Sequence, residues 1–176
     1  MTCTGAMNDE AGIEQVMGDT FEPWFRREYP QVLGALILAI GNRDVAEEAT
    51  AEAFAKAYEK WERVGAMASP GGWIYTVALN VARRRFKRRT MERLLLRKFH
   101  STTEVPAETG FELWDLVRTL PSRERTAIVL RYVGDLREAD VAKAMGISNG
   151  GVAKTLNVAR SHLGLALREQ RGVETP

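Results

Sequence analysis

The chain has 176 residues, 45% of them hydrophobic, enough to bury a core as one medium domain or two small ones. No run of about 18 apolar residues exists, so no membrane-spanning helix is expected, and the opening MTCTGAMNDEAG lacks the basic region and apolar run of a secretion signal. The net charge of +2 is unevenly spread: residues 1–62 carry 5 Lys+Arg against 12 Asp+Glu, residues 63–100 carry 10 against 1, and residues 101–176 carry 10 of each, which implies separate surfaces for separate partners.

Residues 1–18 are polar, small and aperiodic and read as a flexible N-terminus, with Met7 as an alternative start to Met1. From Thr20 the pattern is helical. Phe21, Phe25, Tyr29 and Val32, then Leu33, Leu36, Ile37 and Ile40, form a stripe that Gly41-Asn42 ends. Pro23 suits a first turn, and Pro30 predicts a kink or break. A second helix is predicted from Asp44, read as its N-cap, to Trp61. Val45, Ala49, Ala53, Phe54, Ala57, Tyr58 and Trp61 make its apolar stripe, and Glu47, Glu48, Glu52 and Glu59 fill much of the rest. Arg63 to Gly72 reads as a loop, with Ser69-Pro70 and Gly71-Gly72 as breakers. A third helix starts near Trp73 and runs into Arg83–Arg89, six basic side chains in seven residues. The polar, aperiodic HSTTEVPAETG at 100–110 reads as an interdomain linker. A short helix near Phe111–Leu120 follows, and Pro121-Ser122 start the next. Beyond it, helices meet at the tight turn Met145-Gly146-Ile147, and a longer one opens at Ser148. No strand pattern and no internal repeat stands out. The expected fold is all-α: two small helical domains joined by a flexible linker, the C-terminal one a helix-turn-helix. The expected divisions are 1–18, 19–98, 99–112 and 113–171.

The chemistry follows from three features. In a helix-turn-helix the second helix enters the major groove of DNA. A run of like charge as dense as Arg83–Arg89 repels itself unless an anion relieves it. Rings at the entrance of that helix, Trp73 and Tyr75, can stack on unpaired bases while the cations hold the backbone, although Trp73 reads equally well as a core ring. The acidic helix reads equally well as a solvent-facing amphipathic one. No Ser/His/Asp or Cys/His arrangement points to catalysis. Glu47 and Glu48 lack the Glu-x-x-His partner of a di-metal site, the lone Cys3 and isolated His100 and His162 offer no metal cluster, and neither Gly-Gly pair has phosphate-loop flanks. The chain is therefore expected not to be an enzyme, to carry no metal or cofactor, to take no small-molecule substrate, and to be cytoplasmic.

The blocks DVAEEATAEAFAKAYEKW, SPGGWIYTVALNVARRRFKRR and LPSRERTAIVLRYVGDLREADVAKAMGISNGGVAKTLNVARSHL, in that order, resemble the extracytoplasmic-function sigma factors of bacterial RNA polymerase. The resemblance covers about Phe21 to Leu167. It implies a promoter-specificity subunit whose 19–98 domain is sigma region 2, gripping the polymerase clamp and opening the −10 element. The 113–171 domain would be region 4, binding the −35 element and the polymerase flap. Core contact would fall to Glu47, Glu48, Glu52, Phe54 and Trp61. The loop 64–72 would capture a flipped −10 base. Trp73, Tyr75, Asn80, Arg83, Arg84, Arg85, Lys87 and Arg88 would contact −10 DNA. Ser148, Asn149, Gly151, Val152, Lys154, Thr155 and Arg160 would contact −35 DNA. An anti-sigma factor is implied as a further partner, wrapping the domains through partly buried apolar positions near Phe54, Tyr58, Val152 and Leu156.

The chain also departs from the family's pattern. Ala51 replaces a usual Gln, and in the recognition helix Gly151, Ala153 and Val158 replace Thr, Lys and Arg. Two positive charges are lost there, so weak autonomous −35 binding is expected. The linker residues from His100 to Leu113 span at most roughly 45–50 Å, enough to hold two DNA elements more than a helical turn apart. A stand-alone regulator explains the helix-turn-helix but not the internal Arg tract, and a decoy that keeps the fold without reading DNA stays open.

Overall fold

The computed structural model describes residues 20–96 and 112–173. The N-terminal 1–18 segment with Cys3, the linker expected at 99–112 apart from its last residue, and His100 lie outside them. Among the described residues eight helices follow in order: α1 Phe21–Ile40, α2 Arg43–Glu59, α3 Trp61–Gly65, α4 Pro70–Leu96, α5 Glu112–Thr119, α6 Ser122–Tyr132, α7 Glu138–Met145 and α8 Asn149–Val173. No strand occurs among the described residues.

The helix ends show which local signals were decisive. α1 runs unbroken through Pro30, where a kink was expected. Proline removes a single backbone donor, and Pro30 is exposed, so its ring meets no packed neighbour. Gly41 stops α1 in the left-handed conformation (φ 70°), its N–H bonded to Ile37 O at 2.9 Å. The N-cap of α2 is Asn42, not Asp44: its side chain accepts from the Val45 N–H at 2.9 Å. The predicted single helix to Trp61 breaks at Lys60 (φ −121°, ψ 25°), and α3 begins at Trp61. α4 opens three residues before Trp73. Pro70 fills its first position, and Ser69 Oγ accepts from the Gly72 N–H at 3.1 Å, so Gly71-Gly72 are helix and not loop.

The first three long helices pack through small residues. Ala46, Ala49, Ala53 and Ala57 on α2 and Ala78 and Ala82 on α4 are fully or almost fully buried and let the backbones approach closely. Phe21, Trp24, Phe25, Tyr29, Phe54, Tyr58 and Trp61 form one ring cluster with centroids 4.8–5.9 Å apart, which pins α1 to α2 and α3. α5–α8 build a second unit around Ile128, Val129, Leu130, Val141, Val152 and Leu156.

The two units share a continuous core: α1 packs on α6, and α4 packs on α7. No local pattern marks this contact, because a polar linker implies domains with little mutual contact. Two glycines permit it. A Cβ on Gly72 would lie 2.9 Å from Asp140 Cγ, and one on Gly134 would lie 3.0 Å from the Tyr75 ring.

Candidate nucleic-acid interface

α4 carries the basic tract. Its first half is anchored by buried Ile74, Tyr75, Ala78, Leu79, Val81 and Ala82, and its second half projects Arg83, Arg84, Lys87 and Arg88 outward, with Arg85 half-buried. The side chain of Arg89 is outside the described set. Trp73 is half-buried and forms a wall of a pocket of about 330 Å³ together with Met67, Ala68, Ser69, Gly72 and Thr76. The loop that the family resemblance assigns to a flipped base and the ring it assigns to −10 DNA are thus adjacent. Arg137, the N-cap residue of α7, and Asp140 and Lys143 of α7 complete its lining.

Tyr75 does not share that position. It is 2% exposed, packed against Gly134 of the other unit, and burial, with a smaller contribution from Glu28, pushes its phenol well above the usual range. A ring held there cannot stack on a base, so the expected role of Tyr75 is corrected to packing. The side-chain period explains it: Tyr75 shares the α4 face of Ala78, Leu79 and Ala82, and Trp73, two positions earlier, lies on another.

The cations of α4 are also engaged within the chain. Arg84 bonds Glu52 at 3.2 Å, and Arg85 bonds Glu48 at 2.5 Å and Glu52 at 3.0 Å. Lys56 adds a third cation on Glu52 at 2.6 Å. Glu52 is held below the usual carboxylate range, chiefly by the Lys56 hydrogen bond and further by Arg85, against an opposing desolvation. Arg83 donates to Asn80 Oδ1 at 3.3 Å and to the carbonyls of Ala144 and Met145 at 3.1 and 3.2 Å. The expected core-binding carboxylates and the expected DNA-binding guanidiniums therefore face each other across α2 and α4. Of the remaining core-binding residues, Glu47 is bonded to Arg43 at 2.8 Å and Trp61 is half-buried in the ring cluster. Phe54 is 2% exposed, so it supports this surface from beneath and contacts nothing outside. Tyr58, 68% exposed at the same end of α2, is the ring open to a partner.

In the helix-turn-helix, α7 ends at Gly146 (φ 68°), and Ser148 caps α8 by accepting the Gly151 N–H at 3.1 Å. Ser148, Asn149 and Lys154 are exposed, and Gly151 is half-buried. Val152 and Leu156 are fully buried, and Thr155 is turned inward with its hydroxyl donating to Gly151 O at 2.7 Å, which corrects Val152 and Thr155 as base contacts. Arg160 is exposed but holds the Tyr132 hydroxyl from two nitrogens, at 2.9 and 2.7 Å, and lies over its ring. Because Phe54, Val152 and Leu156 are core residues, only Tyr58 of the four expected anti-sigma contacts is accessible.

Sequence reasoning missed Asp140. It is 6% exposed, accepts from Ser69 Oγ at 3.2 Å, and is flanked by Arg137 at 3.5 Å and Lys143 at 3.9 Å. Its signal was present: a carboxylate beside Val141 and one turn before Ala144 sits on the apolar face of α7, where an acid needs a partner. Among the described residues no group of three or more His, Cys, Asp or Glu could hold a metal, and no helix is long and apolar enough to cross a membrane.

Residues 24–91 match the family model for sigma-70 region 2, and residues 110–163 that for sigma-70 region 4. The chain is 26% identical over 153 residues to the uncharacterized protein R00370 of Rhizobium meliloti (strain 1021), covering 78% of this chain and 36% of that protein. It thus spans about a third of that relative's length. It is 23% identical over 148 residues to the RNA polymerase sigma-E factor of Streptomyces coelicolor, covering 81% of this chain and 83% of that one. Among solved structures, the fold is similar to the sigma factor RpoE crystallised with the anti-sigma factor NepR from Bartonella quintana. The TM-score is 0.69 at 20% identity, over 84% of this chain and 96% of that one.

Proposed function

The chain belongs to the sigma-70 family, with region 2 and region 4 in order, and from that premise we propose that it is an extracytoplasmic-function sigma factor. It directs RNA polymerase core to a set of promoters and helps open them. The observation that carries this reading is the placement of the basic second half of α4 directly after a Trp73-lined pocket, in a chain that also presents a capped recognition helix. A regulator that only binds duplex needs no such pocket. Ser69, Trp73, Asn80, Lys87 and Arg88 form the −10 surface, with Arg83 released to it on opening. Arg84 and Arg85 serve first as ties between α4 and α2. Ser148, Asn149, Gly151 and Lys154 form the −35 surface.

Glu47, Glu48 and the exposed Tyr58 present α2 to the polymerase clamp, and region 4 meets the flap. These are proteins of the transcription apparatus, so the site of action is the cytoplasm, and the reading assigns no catalytic group. A protein inhibitor of the anti-sigma kind is part of the proposal. Its contact falls on Tyr58 and the exposed faces of α2 and α8, because Phe54, Val152 and Leu156 are buried. Run-off transcription from a promoter library tests the reading: core enzyme plus this protein yields promoter-specific transcripts, and a folded sample that adds none on any template refutes it.

A further inference from the structure

We propose that the cleft between the two units is a binding site for a small anionic amphiphile, an apolar body carrying one acidic group. The cleft holds about 560 Å³. Interiors packed to native density leave no such space, and sites for small molecules run from roughly 300 to 1,000 Å³. Ile40 of α1, Leu79 and Phe86 of α4, Met145 at the end of α7 and Ile147 in the turn after it supply most of the apolar surface. Phe86 is 39% exposed, so this surface opens to solvent. Water there finds few polar partners, and an apolar body that displaces it removes the surface from water.

The charged lining has one sign. Arg83 and Arg123 border the cleft, and among the described residues no Asp or Glu does. Arg83 is already bonded to the carbonyls of Ala144 and Met145. Arg123 is exposed in the first turn of α6 and has no hydrogen bond or ion pair among the described residues. Two guanidiniums beside an apolar surface, one of them unsatisfied, fit a carboxylate at the end of a hydrocarbon body. The start of α6 adds to this charge. It opens at Ser122 on the same rim, without a side-chain cap, and the unpaired N–H groups of a helix start favour an anion. Glu124, the acid of that turn, is taken by His162 at 2.7 Å. The chain's own residues 97–111 suit the cleft less well, because Arg97 and Lys98 cancel Glu104 and Glu108 and leave no net negative charge. Residues of both units line the cleft, so neither unit offers the site alone.

Isothermal titration calorimetry of the full chain with decanoate, kept below its micelle concentration, tests the site. Decyltrimethylammonium carries the same alkyl chain with the opposite charge and is expected to bind about tenfold or more weakly. Arg123→Glu turns one attraction into a repulsion at an exposed, unpaired position, so the fold is expected to be unaltered and decanoate affinity to fall about tenfold. Arg168→Glu makes the same change of net charge at an exposed position of α8 outside the cleft and is expected to leave that affinity as it was. Thr126→Trp grows a ring into the cleft from a half-buried lining residue and is expected to abolish decanoate binding. Where that variant fails to fold, Arg123→Glu alone decides. Equal binding of the two amphiphiles, undiminished affinity in Arg123→Glu, or an equal loss in Arg168→Glu overturns the site. Absence of any decanoate binding to the full chain, the result if a segment of the chain itself fills the cleft, overturns it too. Run-off transcription decides the sigma reading separately, so either conclusion can fail while the other stands.

Discussion

Replacing Tyr75 and Trp73 separately by alanine divides a packing ring from a base-binding ring that lie two residues apart on one helix. Tyr75 is 2% exposed and fills the gap left by the missing side chain of Gly134, at the junction of α4 with the turn after α6. Removing a large buried ring costs about 3–5 kcal/mol, since the surroundings collapse only in part. In a chain of this size that lowers Tm by about 6–20 °C. Trp73 is half-buried and borders an open pocket, so its loss should lower Tm far less. If it stacks on a base, its removal costs about 1–3 kcal/mol of binding, or about 5- to 150-fold in affinity for single-stranded DNA. Thermal unfolding by circular dichroism and fluorescence anisotropy with a labelled oligonucleotide read the two quantities on the same samples. The reasoning fails if Tyr75→Ala melts with the unaltered chain but loses DNA, because the ring would then leave the core in the binding state. It fails equally if Trp73→Ala binds unchanged.

The carboxylate of Glu52 is held below its ordinary range by Lys56 and Arg85, so the stability it contributes is complete above the ordinary carboxylate pKa and is lost as pH falls through the lower, folded value. The Tm gap between the unaltered chain and Glu52→Gln should hold steady from pH 7 to about 5 and close in more acidic solution; a gap that widens on acidification contradicts the network. Lys87→Ala is expected to flatten the salt dependence of DNA binding by about one unit of slope with Tm unchanged, whereas Arg85→Ala, which unties α4 from Glu48 and Glu52, should lower Tm. Measurement of both quantities for both variants would expose a reversed assignment. Val158 is exposed on α8 one turn beyond the exposed Lys154, so Val158→Arg restores a cation to the recognition helix. Duplex binding should strengthen and its salt slope steepen by about one, and an unchanged slope means that this part of α8 does not approach the phosphates.

Most helices are legible because their apolar residues recur with a helical period and because Gly41, Gly146 and Ser148 are strong punctuation. The break at Lys60 is not, since it occurs without glycine or proline and is set by where Trp61 must go to join Phe21 and Trp24. Gly72 misled in the other direction. It reads as a loop breaker, but it is a helical residue kept bare by Asp140, 68 positions away. The functional surfaces were legible as residue types and less so as partners. Composition alone identified the cations of α4, yet nothing local reveals that Arg83 turns to α7 while Arg84 and Arg85 turn to α2. Such choices depend on which helices meet, and that rests on glycines and alanines whose small size carries no pattern.

The charges proposed to meet polymerase and promoter therefore act by exchange. Arg83 leaves two carbonyls, Arg160 leaves the Tyr132 hydroxyl, and Glu48 shares Arg85 before it meets any outside group. Exposed pairs of this kind contribute only about 0–1 kcal/mol each, so no single exchange is a large barrier. Their joint effect is on selectivity. A tract of six cations with no internal partners would bind any polyanion, and the salt-dependent, sequence-independent part of DNA affinity would dominate. Internal ligands subtract from that part for every polyanion alike. The stacking of a base on Trp73 is offered by an opened strand and not by paired duplex, so it favours the melted element over other polyanions. Promoter recognition then depends on the difference between a melted −10 element and ordinary duplex, which is the discrimination a protein that works at one step of initiation requires.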